Sequence, residues 1–102
     1  MTDEQLTNEL AIRVMGWKLG PDRFIKSGRI WIPRWRFRPL AELSDAFQLL
    51  DKSANQYTLT RNQSSFFAEV EIDSCRSKAV GEHLARTITV AVARGLQLEV
   101  VE

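Results

Sequence analysis

The stretch FFAEVEI, residues 66–72, restricts the fold more than any other part of the chain. Every second side chain in it is apolar, and most of those between are charged. This period of two is typical of a strand that buries one face and exposes the other. A second segment precedes it across the polar connection Arg61-Asn62-Gln63-Ser64. The two segments predict an antiparallel hairpin over 56–61 and 65–72.

Two stretches before this hairpin have helical periodicity. The first begins at Thr2, which has capping-box spacing to Gln5, and ends at Gly16. The second begins at Pro39, because proline is favoured in the first turn of a helix, and continues to about Leu50.

A third helix is predicted after the hairpin. Ser77 is its N-cap, about Arg94 its end and Gly95 its stop. Gly81 inside this helix costs ~1 kcal/mol relative to alanine, so it indicates close approach of another helix or chain. The tail over 96–101, LQLEVV, alternates weakly and has the pattern of a short extra strand.

Short extended pieces are expected between the first two helices, at Trp17–Leu19 and Arg29–Ile32. The turn signals Gly20-Pro21-Asp22 and Ser27-Gly28 separate them. Arg23–Ile25 is an alternative partner for the second piece, and the sequence leaves this register open.

The predicted order is therefore α-β-β-α-β-β-α, an α+β fold. Four short strands cannot cover three amphipathic helices on one face. We expect one four-stranded, mostly antiparallel sheet with helices on both faces, an α/β/α sandwich. A chain of 102 residues has the usual size of one domain, so residues 1–102 are predicted to form a single domain.

The chain resembles the phage ABA sandwich family, small proteins of bacteriophages and prophages named for helix–sheet–helix layering. Met15-Gly16-Trp17 is the most specific part of the likeness. It extends over nearly the whole chain, in NELAIRVMGW (8–17), IWIP (30–33), FRPLAELSDAFQLL (37–50), FFAEVEI (66–72) and VGEHLARTITVAV (80–92). The resemblance implies the layered fold and a phage or prophage origin. The family's function is undetermined, so no activity or site residue follows from it.

The sequence composition indicates the compartment in which the protein acts. No apolar run approaches the ~20 residues of a bilayer span, and the N-terminus MTDEQLTNEL is too acidic and polar for a secretory signal. Cys75 is the single cysteine, which fits a reducing compartment. We expect a protein of the bacterial cytoplasm that makes no contact with a membrane.

A net charge of +1 hides an uneven distribution. Residues 13–38 carry eight basic side chains and a single acidic one, Asp22. Such asymmetry indicates an anionic partner, or an acidic complement within the protein or on another subunit.

The segment RIWIPRWRFR, residues 29–38, concentrates this charge. An extended backbone over Arg34–Arg38 would place three guanidinium groups on one side and two rings on the other. Arginines facing solvent would bind phosphate, and exposed rings would stack on bases. The alternative places Trp35 and Phe37 in the core and leaves the arginines solvated or paired. The candidate anion- or partner-binding residues are Arg29, Arg34, Trp35, Arg36 and Arg38.

Glu69, Glu71 and Asp73 form the candidate acidic complement. Their spacing places three carboxylates on one strand face, where we expect them to pair with the arginines. The alternative is that the three carboxylates bind Mg²⁺, which the spacing favours less. Cys75 and His83 lack the further cysteines and histidines of a zinc site, and no glycine-rich phosphate loop is present. We therefore predict no metal, no cofactor and no catalytic residue, and a protein that is not an enzyme.

These patterns favour a small, non-catalytic phage or prophage accessory protein that acts by protein–protein interaction. Its partner would be a second copy of the chain, in a homo-oligomer, or a host or phage protein. The alternative is a binder of an anionic ligand, either nucleic acid or a nucleotide signal, through the basic 29–38 segment.

Overall fold

The computed structural model describes residues 2–98. Over this range the chain forms three α-helices, six β-strands and one 3₁₀ turn. In chain order they are α1 (Asp3–Arg13), β1 (Lys18–Leu19), β2 (Arg23–Ser27), β3 (Ile30–Pro33), the 3₁₀ turn (Arg34–Arg36), α2 (Leu43–Ser53), β4 (Gln56–Asn62), β5 (Ser65–Ile72), β6 (Cys75–Gly81) and α3 (Leu84–Gly95).

The first sheet is antiparallel and has the order β1-β2-β3. Of the two partners that the sequence left open for the Arg29–Ile32 piece, the alternative is present, because β2 pairs with β3 across the Gly28 turn. Strand β1 pairs with the other side of β2 and not with β3. Phe24 of β2 lies opposite Ile32 of β3 and is fully buried. The opposite face carries Trp31, whose ring is 4.1 Å from the guanidinium carbon of Arg23. This sheet therefore buries one face only.

The second sheet has the order β4-β5-β6 and is also antiparallel. The predicted hairpin over 56–61 and 65–72 is confirmed, with Leu59 opposite Ala68. A two-residue turn, Asp73-Ser74, then leads into β6. Both turn residues have positive φ, 49° and 67°, as a tight hairpin turn of this kind requires.

The predicted start of the third helix at Ser77 is wrong, because Cys75–Gly81 is strand β6 and α3 begins at Leu84. The Ser77 hydroxyl caps no helix; it donates a hydrogen bond to the carbonyl oxygen of Ala91 at 2.8 Å. Gly81 accordingly ends a strand. A Cβ added there would stand 2.7 Å from Oγ1 of Thr87, so the close approach that its glycine indicated is between β6 and α3.

The second helix also begins later than predicted, at Leu43 instead of Pro39. Pro39 is buried before the helix, and its carbonyl oxygen accepts a 2.7 Å hydrogen bond from the hydroxyl of Thr89. Through this hydrogen bond Pro39 links the segment between the 3₁₀ turn and α2 to α3.

The molecule is an α+β fold, but the predicted single four-stranded sheet with helices on both faces is wrong. Six strands are present in the described residues instead of four, because β2 forms in addition to β1 and β3 and because β6 was missed. The 3₁₀ turn and α2 separate them into two sheets of three strands each. Helix α3 packs on β5 and β6, and α2 packs on α3. The other face of the second sheet is open, and Val80 there is 67% exposed. The α/β/α layering is therefore absent from residues 2–98.

One cluster of buried side chains joins all three helices and both sheets. Leu10 of α1, Leu49 of α2 and Ile88 of α3 are fully buried in it. No helix in the described range is long and apolar enough to cross a membrane. Half of the strand predicted over 96–101 lies outside the described residues, which end at Leu98, and within the described half Leu96 and Gln97 form a turn after α3.

Candidate partner-binding groove

The basic segment after β3 is a turn and not a strand. Pro33 is extended, and the chain then enters the 3₁₀ turn over Arg34–Arg36, which the amide of Phe37 closes on the carbonyl oxygen of Arg34 at 3.2 Å. A 3₁₀ turn has three residues per turn, so side chains two apart diverge and do not share a side. The predicted row of three guanidinium groups on one side is therefore wrong.

The two aromatic side chains of this segment have opposite environments. Phe37 is 2% exposed, and its ring meets Trp17 edge-on at 5.0 Å and Phe24 edge-on at 5.8 Å. Trp35 is 70% exposed. The sequence predicts that both rings are buried or that both are exposed. In the structure Phe37 lies in the core and Trp35 lies on the surface.

Arg34 reaches away from the turn towards α1. Its Nη1 donates to Oδ1 of Asn8 at 2.9 Å and its Nη2 to the carbonyl oxygen of Gly20 at 3.2 Å. A carboxylate oxygen of Glu4 stands 3.7 Å from Nη1, and the Arg34 Nε is buried without a hydrogen-bond partner. The guanidinium thus connects α1, the β1–β2 loop and the 3₁₀ turn.

A groove of about 430 Å³ lies between the first half of α1 and the segment 34–41. We call it the Trp35 groove. Its lining combines buried apolar side chains with exposed charged ones of both signs. The lining residues are Asp3, Glu4, Thr7, Asn8, Phe24, Arg34, Trp35, Phe37, Arg38, Leu40 and Ala41. Asp3 is held by Arg86 of α3 through two hydrogen bonds, at 3.0 and 3.2 Å.

The other candidate arginines do not converge on this groove. The guanidinium carbon of Arg36 lies 5.7 Å from the Trp35 ring, and its side chain lines a separate hollow beside Asp45. Arg38 does line the groove, and its backbone amide donates to Oδ2 of Asp45 at 3.0 Å. Arg29 is exposed in the β2–β3 turn. The five candidate residues therefore occupy several places, and the groove contains Arg34, Trp35 and Arg38.

The candidate acidic complement belongs to the second sheet. Glu69 lies opposite Lys78 and Glu71 opposite Arg76, both on β6. Their cross-strand neighbours are thus basic residues of the same sheet and not the 29–38 segment. Asp73 lies in the turn after β5, off this face. No cluster of carboxylate, histidine and cysteine side chains within residues 2–98 is arranged to hold a metal ion.

Cys75 and His83 are at opposite ends of one strand. Cys75 begins β6, and His83 follows the end of β6 and precedes α3. Seven strand residues at about 3.3 Å each separate them by roughly 20 Å, so the two side chains cannot act as a nucleophile–base pair.

Sequence reasoning missed the α1 side of the groove. In the sequence, Asp3, Glu4 and Asn8 are polar residues of the predicted first helix, and no pattern connects them with the 29–38 segment. The hydrogen bond between Arg34 and Asn8 joins residues 26 positions apart. A periodic pattern within a single helix or strand gives no information on a contact between residues so far apart in the sequence.

The fold is shared with a solved structure. The crystal structure of a phage protein from Bacillus cereus ATCC 14579 superposes with a TM-score of 0.80 at 16% sequence identity, covering 99% of this chain and 93% of that one. At this identity the likeness shows the fold alone. No protein-family model and no curated protein matches the sequence. The resemblance to the phage ABA sandwich family therefore stays a prediction.

Proposed function

We propose that this chain is a small, non-catalytic accessory protein of a phage or prophage that binds another protein through the Trp35 groove. The observation that carries the proposal is Trp35 itself, 70% exposed beside a groove of about 430 Å³. Tryptophan and arginine are the side chains most enriched among residues that dominate binding energy at protein interfaces. A large exposed ring at the rim of a partly apolar groove is the arrangement such an anchor needs.

The phage or prophage part of the proposal has two supports. The shared fold with the Bacillus cereus phage protein is one, and the resemblance of Met15-Gly16-Trp17 and its surroundings to the ABA sandwich family is the other. Both are consistent with action inside a bacterial cell, and the cytoplasm is the proposed location.

The geometry supports a protein partner better than an anionic ligand. Arg34 already donates to Asn8 and Gly20, which leaves it less available to a phosphate. The carboxylates of Asp3 and Glu4 line the same groove and would repel an anion. A rim with both signs of charge suits the mixed surface of a protein. Binding of nucleic acid or a nucleotide through the 29–38 segment is the competing function, and the exposed Arg29 and Arg36 are its support.

The proposal is tested by capture from a lysate of the bacterium that carries the gene. Wild-type protein is immobilised beside Trp35→Ala and a matched control, Trp31→Ala, which removes another exposed tryptophan from the first sheet. Loss of a hot-spot tryptophan costs ~2 kcal/mol or more, about 30-fold in affinity. We expect one protein retained by wild type and Trp31→Ala and lost with Trp35→Ala, and the same ranking with the purified partner in calorimetry.

Two results would refute this function. One is a partner bound equally by Trp35→Ala and wild type. The other is Trp35-dependent capture of nucleic acid or nucleotide instead of protein, with affinity that falls steeply as salt rises.

A further inference from the structure

Strand β4 is an edge of the second sheet that the described residues leave open. It follows α2 and pairs with β5 on one side only. Six of its seven residues are exposed, and it has no proline and a single charge, Arg61. Proteins usually protect so long an edge with lysine, proline, a bulge or a covering element. The opposite edge shows such protection, since α3 packs on β6 and Nη1 of Arg94 donates to the carbonyl oxygen of Lys78 at 3.0 Å.

The sequence of β4, QYTLTRN, is nearly symmetric about Leu59. At equal distances on either side of Leu59, Thr58 corresponds to Thr60, Tyr57 to Arg61, and Gln56 to Asn62. An antiparallel copy of the strand centred on Leu59 would therefore place chemically compatible side chains opposite each other at every position.

We propose that β4 pairs with β4 of a second copy of this chain, antiparallel about a two-fold axis at Leu59, and joins the two sheets into one of six strands. This is a self-complementary interface between identical surfaces, the commonest kind in homodimers. The inference does not depend on the Trp35 groove, which lies on another part of the molecule.

The backbone has the hydrogen-bonding direction that this register needs. The two-residue turn Gln63-Ser64 joins Asn62 to Ser65, and the carbonyl and amide across such a turn bond to each other. Asn62 therefore directs its backbone groups towards β5. Because hydrogen-bonded and non-bonded positions alternate in an antiparallel pair, Tyr57, Leu59 and Arg61 direct theirs to the open edge. These are the positions that face one another in a pairing centred on Leu59.

The side chains fit the same register. On the face towards the helices, Leu59 would meet the partner's Leu59, and Arg61 would meet the partner's Tyr57. The guanidinium carbon of Arg61 already lies 5.8 Å from the ring of Phe66, so the partner's tyrosine would add a second aromatic neighbour to one cation. On the other face, Thr58 would meet the partner's Thr60. The two Arg61 side chains would stand about 13 Å apart, four residues along the strands, and would repel little.

The first test is the oligomeric state by sedimentation equilibrium over a concentration series. We expect wild type to form a concentration-dependent dimer. Leu59→Lys replaces a Leu–Leu pair at the axis by two like charges directly opposite and should raise the dimer dissociation constant by roughly 2- to 30-fold. The control is Val80→Lys, the same kind of change at an exposed position of β6, which should dimerise as wild type does; Trp35→Ala should also leave the dimer intact.

Disulfide trapping tests the register without a charge in β4. In a Cys75→Ser background, Leu59→Cys places a thiol opposite its own copy, with Cα atoms about 5.5 Å apart, inside the range of a disulfide. Tyr57→Cys alone and Arg61→Cys alone leave the thiols about 13 Å apart, whereas a mixture of these two variants brings them opposite. We expect crosslinking of the first variant and of the mixture, and none of either single variant by itself.

The inference is overturned if wild type sediments as a monomer throughout the series, or if Leu59→Lys dimerises as tightly as wild type. Equal crosslinking of Tyr57→Cys alone and Leu59→Cys would overturn it as well.

Discussion

Replacing Phe37 with alanine should destabilise the protein severely. Phe37 is 2% exposed and makes two edge-on ring contacts, at 5.0 Å with Trp17 and 5.8 Å with Phe24. Truncation of a buried phenylalanine costs about 3–5 kcal/mol, from lost apolar burial and the cavity that remains. Aromatic pairs contribute about 0.5–1.5 kcal/mol each beyond burial, so two of them place Phe37→Ala in the upper part of that range.

Two further variants separate the contribution of apolar burial from that of the ring contacts. Phe37→Leu keeps most of the apolar volume and loses the ring contacts, so we expect a loss of about 1–3 kcal/mol. Trp35→Ala, two residues earlier, removes a larger ring that is mostly in water and should change the free energy of unfolding by less than about 0.5 kcal/mol.

The assay is urea unfolding followed by far-ultraviolet circular dichroism at low temperature. With a urea slope of about 1.5 kcal/mol/M, a loss of 4 kcal/mol lowers the midpoint by about 2.7 M. A loss below about 1.5 kcal/mol for Phe37→Ala would refute the reasoning. So would a larger loss for Trp35→Ala than for Phe37→Ala, because the rings would then have exchanged environments.

Three further changes test other contacts. Arg34→Lys keeps the charge but replaces the two donor nitrogens that bind Asn8 and Gly20 by one ammonium nitrogen on a shorter side chain, so we expect it to lose at least one of these hydrogen bonds and about 1–2 kcal/mol of the free energy of unfolding. Stability equal to wild type would contradict the bridging role of the guanidinium. Gly81→Ala should cost about 1–3 kcal/mol, since its Cβ would stand 2.7 Å from Oγ1 of Thr87, and adding Thr87→Ala should recover part of the loss in a double-mutant cycle. Glu69→Lys places like charges opposite Lys78 and should destabilise by about 0.2–1 kcal/mol at low salt, an effect that 1 M salt should largely remove; an equal effect at both salt concentrations would exclude the electrostatic cause.

The parts of the fold that were predictable have a strong local pattern. The alternation in 66–72 predicts β5 and its hairpin with β4, and the Thr2–Gln5 capping box predicts the start of α1; both are present. Strand β6 was missed because its segment, CRSKAVG, has a single β-branched residue and no aromatic one. Its turn was missed because Asp73-Ser74 lacks the glycine that usually marks such a turn.

The candidate site was predictable only in part. The composition of the 29–38 segment identified Arg34, Trp35 and Arg38 as candidates. Their geometry depends on a 3₁₀ turn, whereas the alternation of basic and aromatic residues in this segment predicts a strand. The other wall of the groove is supplied by α1, which meets the segment through tertiary contacts such as that of Arg34 with Asn8. Local periodicity carries no information on these contacts.

The most direct test of partner binding at the Trp35 groove is oxidative footprinting of the complex with the captured protein. Trp35 and Trp31, 70% and 48% exposed, should both be oxidised in the free chain, as read by mass spectrometry. In the complex we predict strong protection of Trp35 and undiminished oxidation of Trp31, which serves as the internal control. Equal oxidation of Trp35 in the free chain and in the complex would contradict the account.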